Sequence, residues 1–353
     1  MAFTTIDDSE AYFQTVLYTG NFTDNTAITL PGTNNMQPDL VWLKERDEAE
    51  GHRWHDAARG ATKYVQSSSA NAEATNADTL KSFDSDGFTL GANNEHNQDS
   101  MPYAAWCWAA GGGAGSSNTA GATNTTTTSV NTTSKFSIST YTGTGSATTI
   151  GHGLGVAPHF ILCKERGDAG DWVAYHHSNT AAPETDVLEF NNTTATADNN
   201  GMWNDTAPTS TLITLGGSAV LNNSSDSYVS YAWGEVSGFS MFGKYVGNAD
   251  TDGTFIYTGF RPAMFIFKET GNAENWMIYD NKRTDQGVKS NPIDQYMFVN
   301  TNGVDTSGVA VDFCSNGIKL RANNGHINEG NYVFMAWAES PFVNSSGVPC
   351  NAM

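Results

Sequence analysis

A short pattern recurs three times along this chain, and it constrains the fold more than any single residue does. A proline is followed six residues later by Lys-Glu, at Pro38/Lys44-Glu45, Pro158/Lys164-Glu165 and Pro262/Lys268-Glu269. A second element, Tyr-x4-Trp, recurs farther on, at Tyr103/Trp108, Tyr228/Trp233 and Tyr332/Trp337. Self-similarity at a regular spacing indicates a repeat architecture. The sequence therefore predicts three copies of one unit.

A tryptophan also follows each lysine, and we expect the three to be equivalent. The spacing is ten residues in the first copy (Trp54) and eight in the other two (Trp172 and Trp276). Asp86-Gly87 and Asn316-Gly317 precede a short apolar stretch in the first and third copies. Such dipeptides supply the positive φ that a tight hairpin needs. The pattern predicts strands joined by turns.

The stretch that ends in Tyr-x4-Trp alternates in the manner of a strand. Large or branched residues occupy most positions on one face, namely Ala104, Trp106 and Trp108, then Val229, Tyr231 and Trp233, then Val333, Met335 and Trp337. The other face carries mainly small or apolar residues, which is typical of an interior strand of a sandwich. Only 15% of the residues are charged, and 35 are glycine. We predict an all-β chain of three tandem β-sandwich-like repeat units of about 100 residues each.

The repeats divide the chain into five segments. We predict β unit 1 at 1–110, β unit 2 at 136–238, β unit 3 at 239–343 and a C-terminal tail at 344–353. Residues 111–135 are almost all Gly, Ala, Ser, Thr and Asn. That composition favours a flexible linker, and the alternative is an arm that pairs with a neighbouring sheet edge.

Charge and hydropathy argue against two classes of partner. The net charge of −20 repels phosphate backbones and anionic bilayers, so we expect neither nucleic acid nor a membrane as partner. No apolar stretch is long enough for a membrane span, and the start of the chain lacks the features of a signal peptide, so we expect synthesis in a cytoplasm. The four cysteines have no metal-binding spacing, and three lie in apolar strand patterns typical of buried thiols.

The repeated Lys-Glu pair invites a catalytic interpretation, but we expect a structural one. Adjacent strand residues such as Lys44 and Glu45 point to opposite faces, so they cannot share one site without a bulge. A strand-end ion pair or a contact between units explains three copies better. The eight histidines are scattered without ligand spacing, and no nucleophile or phosphate-loop motif is present. We predict no catalytic residues and no enzymatic activity.

Two loops are candidate binding sites. Asp250 and Asp252 precede Gly253 as the first oxygen donors of a calcium loop do, but the distal glutamate of an EF-hand is missing, so a plain turn competes with a Ca²⁺ site. Trp203 is a tryptophan without a counterpart in the other copies, and it lies among loop-type residues. It is a candidate for stacking on a sugar, and the alternative is that it covers the edge of the core.

The repeats resemble those of a family of virion proteins of tailed phages, especially marine ones. The resemblance rests on Tyr332 to Phe342, on Phe136 to Gly143 with Gly151 to Gly155 and Pro158, and on the Lys-Glu-Arg stretch followed by tryptophan. It covers nearly the whole chain, although units 1 and 2 depart from the Ala-Glu-x-Pro-Phe ending of unit 3. The family is usually labelled tail or tail-fibre, and it offers no catalytic residues to transfer.

The resemblance implies a non-catalytic structural protein of the virion, made in the host cytoplasm. Its role would be tail-associated, as a fibre or appendage module for assembly and attachment to the host surface. Implied partners are other virion proteins, further copies of the chain and a host-surface glycan. Two alternatives stay open, a capsid decoration protein on the phage head and a carbohydrate-binding or depolymerase module.

Overall fold

The chain folds almost entirely into antiparallel strands, as predicted. The computed structural model describes residues 4–284 and 290–350. Unit 1 contains the strands β1 Phe13–Thr19, β2 Thr26–Thr29, β3 Leu40–Glu45, β4 Arg53–Asp56, β5 Lys63–Gln66, β6 Ala74–Thr75, β7 Leu80–Asp84, β8 Gly87–Leu90 and β9 Pro102–Trp108. Unit 2 contains β10 Thr127–Asn131, β11 Phe136–Thr142, β12 Thr148–Gly151, β13 Phe160–Glu165, β14 Val173–His176, β15 Asp186–Glu189, β16 Ala197–Asp198, β17 Leu212–Leu215 and β18 Ser227–Trp233. Unit 3 contains β19 Ser240–Val246, β20 Phe255–Tyr257, β21 Phe260–Glu269, β22 Met277–Asp280, β23 Pro292–Phe298, β24 Thr306–Cys314, β25 Gly317–Leu320 and β26 Asn331–Pro341.

Helices are short. The described part of the chain has three α-helical turns, α1 Asn94–Asn97, α2 Asn200–Trp203 and α3 Ala219–Asn222, and two 3₁₀ turns, Ser9–Ala11 and Pro183–Thr185. None of the described helices is long and apolar enough to cross a membrane.

Each unit is built on one main sheet with the same strand arrangement. The orders are β1-β9-β3-β4-β5-β6 in unit 1, β10-β11-β18-β13-β14-β15-β16 in unit 2 and β19-β26-β21-β22-β23-β24-β25-β20 in unit 3. Units 1 and 2 add a separate small sheet, β2-β8-β7 and β12-β17, whereas the corresponding strands of unit 3 continue its main sheet. The Pro-x5-Lys-Glu strand lies beside the Tyr-x4-Trp strand in all three.

The two faces of each Tyr-x4-Trp strand enter different cores. One face of β9, β18 and β26 enters a central core shared by all three units, which includes Trp106, Tyr231 and Met335. The opposite face enters a smaller core inside each unit, as Cys107, Ala232 and Ala336 show. The predicted alternation is therefore confirmed. The units are not three independent sandwiches, because the bulky face that was assigned to the interior of one sandwich packs between units.

The tryptophans that end the three Tyr-x4-Trp motifs meet one another. Their ring centroids are 6.3 Å apart for Trp108 and Trp233, 5.3 Å for Trp108 and Trp337, and 6.2 Å for Trp233 and Trp337, and all three pairs are edge-to-face. Edge-to-face packing is a favoured geometry for aromatic pairs. We call these three residues the tryptophan hub. The hub places the repeats around a pseudo-threefold axis.

The contacts between units repeat in cyclic order and close a ring. The backbone N–H of Glu73 in unit 1 donates to Arg166 of unit 2 over 2.9 Å. Thr196 of unit 2 donates in the same way to Thr270 of unit 3 over 2.9 Å. Asp305 of unit 3 donates to Arg46 of unit 1 over 2.8 Å. Since each unit contacts the next and the third returns to the first, the arrangement is closed.

The equivalence predicted for Trp54 is wrong, and strand register gives the reason. In unit 1, Trp54 pairs with Trp42, at the position where Ala174 pairs with Leu162 in unit 2. Counting back along the strands, the residue that corresponds to Trp172 and Trp276 is His52. The indole N–H of Trp172 donates to the Gln66 carbonyl at 2.7 Å, and that of Trp276 donates to the Glu189 carbonyl at 2.9 Å.

His52 occupies the third position of this ring of contacts. Its ring faces the backbone of Phe298, which is the counterpart of Gln66 and Glu189. Its Nδ1 accepts a hydrogen bond of 2.9 Å from the Trp42 indole. A spacing of eight residues therefore holds in all three units, with histidine replacing tryptophan in the first.

The Gly/Thr-rich segment between units 1 and 2 includes an edge strand. Within residues 111–135, β10 pairs with β11 and extends the main sheet of unit 2. Its start is tied to unit 1, because the buried Asp39 carboxylate accepts hydrogen bonds from the backbone N–H groups of Ala110, Gly112 and Gly113 at 2.7–2.9 Å. The arm interpretation describes this part of the segment better than a free linker.

Candidate functional site

The repeated residues are used to hold the architecture together. The Lys44 and Lys268 ammonium groups donate to carbonyls of the loop that follows their strand, those of Glu45 and Glu48 and those of Glu269 and Asn272. Burial lowers the pKa of the three repeated lysines, Lys44, Lys164 and Lys268, to about 8. The lysine and its glutamate are therefore not paired as a strand-end ion pair, since the ammonium groups bind backbone carbonyls.

The glutamates organise the same loops. The carboxylate of Glu45 accepts the backbone N–H groups of Asp47 and Glu48 at 2.7 and 2.6 Å, and Glu269 accepts those of Gly271 and Asn272. Two N–H groups on one carboxylate fix the hairpin between the Pro-x5-Lys-Glu strand and the strand that follows it, β3 and β4 in unit 1 and β21 and β22 in unit 3. These contacts lie within a unit and involve its own loop, so they are neither the strand-end ion pair nor the contact between units that the sequence suggested.

The repeated tyrosines fix the turn before their strand. The hydroxyl of Tyr332 accepts the backbone N–H of Glu329 at 3.1 Å and donates to the Gly325 carbonyl at 2.7 Å. Tyr103 and Tyr228 make the same two kinds of contact. With both elements of the repeat assigned to structure, binding chemistry has to come from positions where the units differ.

Unit 3 contains a cavity of about 220 Å³ at the outer face of its main sheet. Eleven residues line it: Met277, Tyr279, Tyr296, Phe298, Ser307, Gly308, Ala310, Ala322, Asn324, His326 and Ile327. The two strands β22 and β23 supply the floor, because Tyr279 pairs with Tyr296 and Met277 pairs with Phe298 in the antiparallel register. Alternation along each strand turns these four side chains to one face.

Aromatic rings follow one another along the cavity wall. The ring centroids are 5.6 Å apart between Tyr279 and Tyr296, 5.6 Å between Tyr296 and Phe298, and 6.3 Å between Phe298 and His326. Tyr279 is fully buried, and burial raises the pKa of its phenol far above the ordinary value. Its hydroxyl has no hydrogen-bond partner in the described part of the chain. A buried donor without a partner is uncommon in folded proteins.

The same place is occupied by side chains in units 1 and 2. The counterpart of Tyr279 in unit 1 is His55, whose Nε2 lies 2.8 Å from Nε2 of His96. The counterpart in unit 2 is Tyr175, and Trp203 packs edge-to-face on it with centroids 5.8 Å apart. Unit 3 has a cavity in the corresponding position. This difference between repeats makes the cavity the candidate functional site.

Trp203, predicted as a sugar-stacking residue, is buried. Only 2% of its surface is exposed, and it belongs to the small core of unit 2. A sugar needs an accessible ring face, so the structure favours the alternative, in which Trp203 covers the core. It is the aromatic residue that occupies in unit 2 the space left open in unit 3.

Asp250 and Asp252 lie in an exposed turn of unit 3. The carboxylate of Asp252 is 2.7 Å from the Lys319 ammonium, and this hydrogen bond lowers the pKa of Asp252. Asp250 accepts the backbone N–H of Asp252 at 2.9 Å. A lysine already occupies one of the two predicted ligands, so the geometry favours the plain turn.

Acidic side chains converge at another place in the described structure, the hairpin loop of unit 2. Ligand oxygens of Glu165, Asp168 and Asp226 lie within 4.8 Å of one another. Burial raises the pKa of Glu165, and the two aspartates add to the effect. Three carboxylates suit a hard divalent cation. No other feature of the described structure points to a ligand there, and we assign none.

The cavity residues were not identified from the sequence. Tyr279, Tyr296 and Phe298 alternate along their strands, but such alternation is shared by every half-buried strand of the chain. The one sequence feature that indicates the cavity is that unit 3 has no counterpart of Trp203. That signal needs the correct pairing of repeats, which the register of the strands provides.

Comparison with known proteins gives a family without an assigned activity. A family model described as a domain of unknown function, DUF7483, matches residues 8–341. The chain belongs to this family. The match spans all three units, so a DUF7483 domain contains the whole closed ring and not a single repeat. No curated protein matches the sequence.

Proposed function

We propose that this DUF7483 protein is a non-catalytic structural component of a tailed-phage virion, associated with the tail as a fibre or appendage module. The resemblance of its repeats to tailed-phage virion proteins motivates the proposal. Support comes from the use of the repeated residues, since lysine, glutamate and tyrosine fix loops within each unit and the tryptophans join the units. A chain whose most repeated side chains serve architecture suits a building block of a particle.

The observation that carries the proposal is the closed pseudo-threefold ring. Three similar units around one axis present three similar faces to a partner on that axis. A trimeric appendage has the matching symmetry. We propose that the protein is made in the host cytoplasm and enters the virion through contacts with other virion proteins and with further copies of itself.

Mass spectrometry and electron microscopy of purified particles test this function. We expect the protein in the particle, in few copies, at the tail. Hundreds of copies on the head would support the alternative of a capsid decoration protein and contradict the tail assignment. Absence from purified particles would contradict both. Light scattering of the purified chain tests self-association, and a strictly monomeric protein would remove that part of the proposal.

A second candidate function is carbohydrate binding, and the cavity of unit 3 favours it. An aromatic wall with polar groups at its rim is the environment in which sugars bind, because pyranose rings present apolar C–H faces together with hydroxyl groups. Attachment to a host-surface glycan is compatible with the virion role. A depolymerase would in addition release reducing sugar from host glycans, and we expect no release.

A further inference from the structure

We propose that the cavity of unit 3 binds a single neutral pyranose residue, such as a terminal sugar of a surface glycan. This inference rests on the attachment part of the proposed function and gives it a site and a ligand class. It moves the predicted sugar contact from Trp203 of unit 2 to the aromatic wall of Tyr279, Tyr296 and Phe298 in unit 3.

The size of the cavity limits the ligand. Sites for drug-sized molecules have volumes of roughly 300–1,000 Å³. At about 220 Å³, this cavity is smaller than that range and suits one sugar ring better than an extended oligosaccharide. The rest of a glycan would project outward past the rim formed by Asn324 and His326, which are both exposed.

The lining determines the charge of the ligand. None of the eleven described lining residues is Lys, Arg, Asp or Glu. The imidazole of His326 is itself within 2.5 Å of the Glu274 carboxylate, which places a negative group near the rim. An anionic sugar would lose hydration without gaining a cationic partner, and the overall charge of −20 would repel it. A neutral ligand avoids both costs.

Polar and apolar groups are placed as a sugar requires. Tyr296 and Phe298 are partly exposed and offer ring faces, whereas Tyr279 is buried beneath them with an unpartnered hydroxyl. Ser307 and Asn324 add polar atoms to the wall. A pyranose ring would stack on the accessible faces of Tyr296 and Phe298 and hydrogen-bond to the exposed Ser307 and Asn324.

The two other units act as internal comparisons. His96 in unit 1 and Trp203 in unit 2 lie against the counterparts of Tyr279. A side chain that filled the cavity of unit 3 in the same way would block the ligand. Ala322→Phe introduces such a ring from the cavity wall. Tyr257 on β20 is exposed and does not line the cavity, so Tyr257→Ala is the matched control for removal of the wall tyrosine in Tyr296→Ala.

The test is ligand-observed NMR on the full chain with D-glucose, D-galactose, N-acetyl-D-glucosamine and D-glucuronate as separate probes. We expect the wild-type chain to bind at least one neutral sugar saturably, with a millimolar dissociation constant. The Ala322→Phe and Tyr296→Ala variants should bind that sugar at least tenfold more weakly, and the Tyr257→Ala variant should bind it as the wild type does. Thermal unfolding confirms that each variant is folded, and if Tyr296→Ala is not, Ala322→Phe decides.

Three outcomes would overturn the inference. They are no saturable binding of any neutral sugar, stronger binding of D-glucuronate than of the neutral sugars, and neutral-sugar binding that a folded Ala322→Phe variant retains. Each is independent of the location of the protein in the particle. Failure of the sugar site would therefore leave the virion proposal standing, and absence from the virion would leave measured binding intact.

Discussion

The indole of Trp108 packs edge-to-face on the indole of Trp337 with ring centroids 5.3 Å apart, although the two residues end the first and the last repeat. Trp233 of the middle repeat contacts both. The repeat pattern thus specifies the strands of each unit and also the point where the units meet. Three repeats that share one core should respond to a change as one body, unlike three domains joined in series.

Truncation of the hub destabilises the whole chain. Trp233→Ala leaves a cavity where three indoles meet, and we expect a loss of about 3–5 kcal/mol in the free energy of unfolding. Trp233→Phe retains an aromatic ring and is expected to lose less. Urea unfolding followed by circular dichroism measures both. A loss of less than 1 kcal/mol for Trp233→Ala would show that the hub contributes little.

The buried Asp56–Arg59 pair, which joins unit 1 to unit 2, is sensitive to loss of one partner. Arg59 is 2.5 Å from Asp56, both side chains are fully buried, and the Tyr231 hydroxyl of unit 2 donates to Asp56 at 2.6 Å. Arg59→Met leaves a buried carboxylate uncompensated, and we expect a loss of about 3–5 kcal/mol.

The matched control for that variant is Lys319→Met, because its partner Asp252 is 83% exposed. Exposed pairs contribute about 0–1 kcal/mol. Chemical denaturation compares the two variants. Equal losses in Arg59→Met and Lys319→Met would contradict the distinction between the buried and the exposed pair.

The repeated glutamates do not contribute equally. Glu269 accepts two backbone N–H groups of its loop, so Glu269→Ala leaves both without that acceptor and is expected to lose about 1–3 kcal/mol. Glu165 of unit 2 lies close to Asp168 and Asp226, and its removal relieves repulsion between carboxylates. Glu165→Ala should therefore cost less than Glu269→Ala in the same thermal-shift series. The reverse order would refute the loop-capping role.

Stability should fall as the pH drops below 6.5, because several histidines are buried in the neutral form. Burial lowers the pKa of His55 and His176 to about 3, and that of His152 and His159 to about 4. Between these values and 6.5 the unfolded chain binds more protons than the folded chain, so the free energy of unfolding rises with pH in this window. The slope approaches about 1.4 kcal/mol per pH unit for each such histidine.

A single substitution tests that pH dependence. His176 Nε2 lies 3.1 Å from the Phe334 carbonyl of unit 3, and Nδ1 accepts the Ser178 N–H, so the neutral ring has both contacts. His176→Gln should reduce the slope between pH 5 and 6.5, because the substitution removes one of the groups that binds a proton only in the unfolded chain. An unaltered slope in His176→Gln would exclude His176 from this effect.

The sequence predicts the structure correctly where the alternation of apolar residues alone decides the fold. Alternation around Trp106 and Trp233 was enough to predict strands and their two apolar faces. It could not show which face packs between units, because a sandwich interior and an interface between sheets demand the same residues. Trp54 was matched to the wrong partner because a tryptophan is a stronger signal than the histidine, His52, that replaces it two residues earlier.

The cavity lay beyond sequence reasoning for a related reason. Whether the space beside this strand is filled depends on a side chain from a distant loop. In unit 2, Trp203 fills the space beside Tyr175. Tyr279 has the same place in its sheet and no such cover. Only the three-dimensional comparison of repeats separates the two cases.

Differential scanning calorimetry of the full chain tests most directly whether the three repeats form one body around the hub. Because Trp108, Trp233 and Trp337 share one core, we predict a single transition in wild type with equal calorimetric and van't Hoff enthalpies, moved as a whole to lower temperature by Trp233→Ala. Separate transitions for the units, or a Trp233→Ala variant in which only one of several transitions moves, would contradict a shared core.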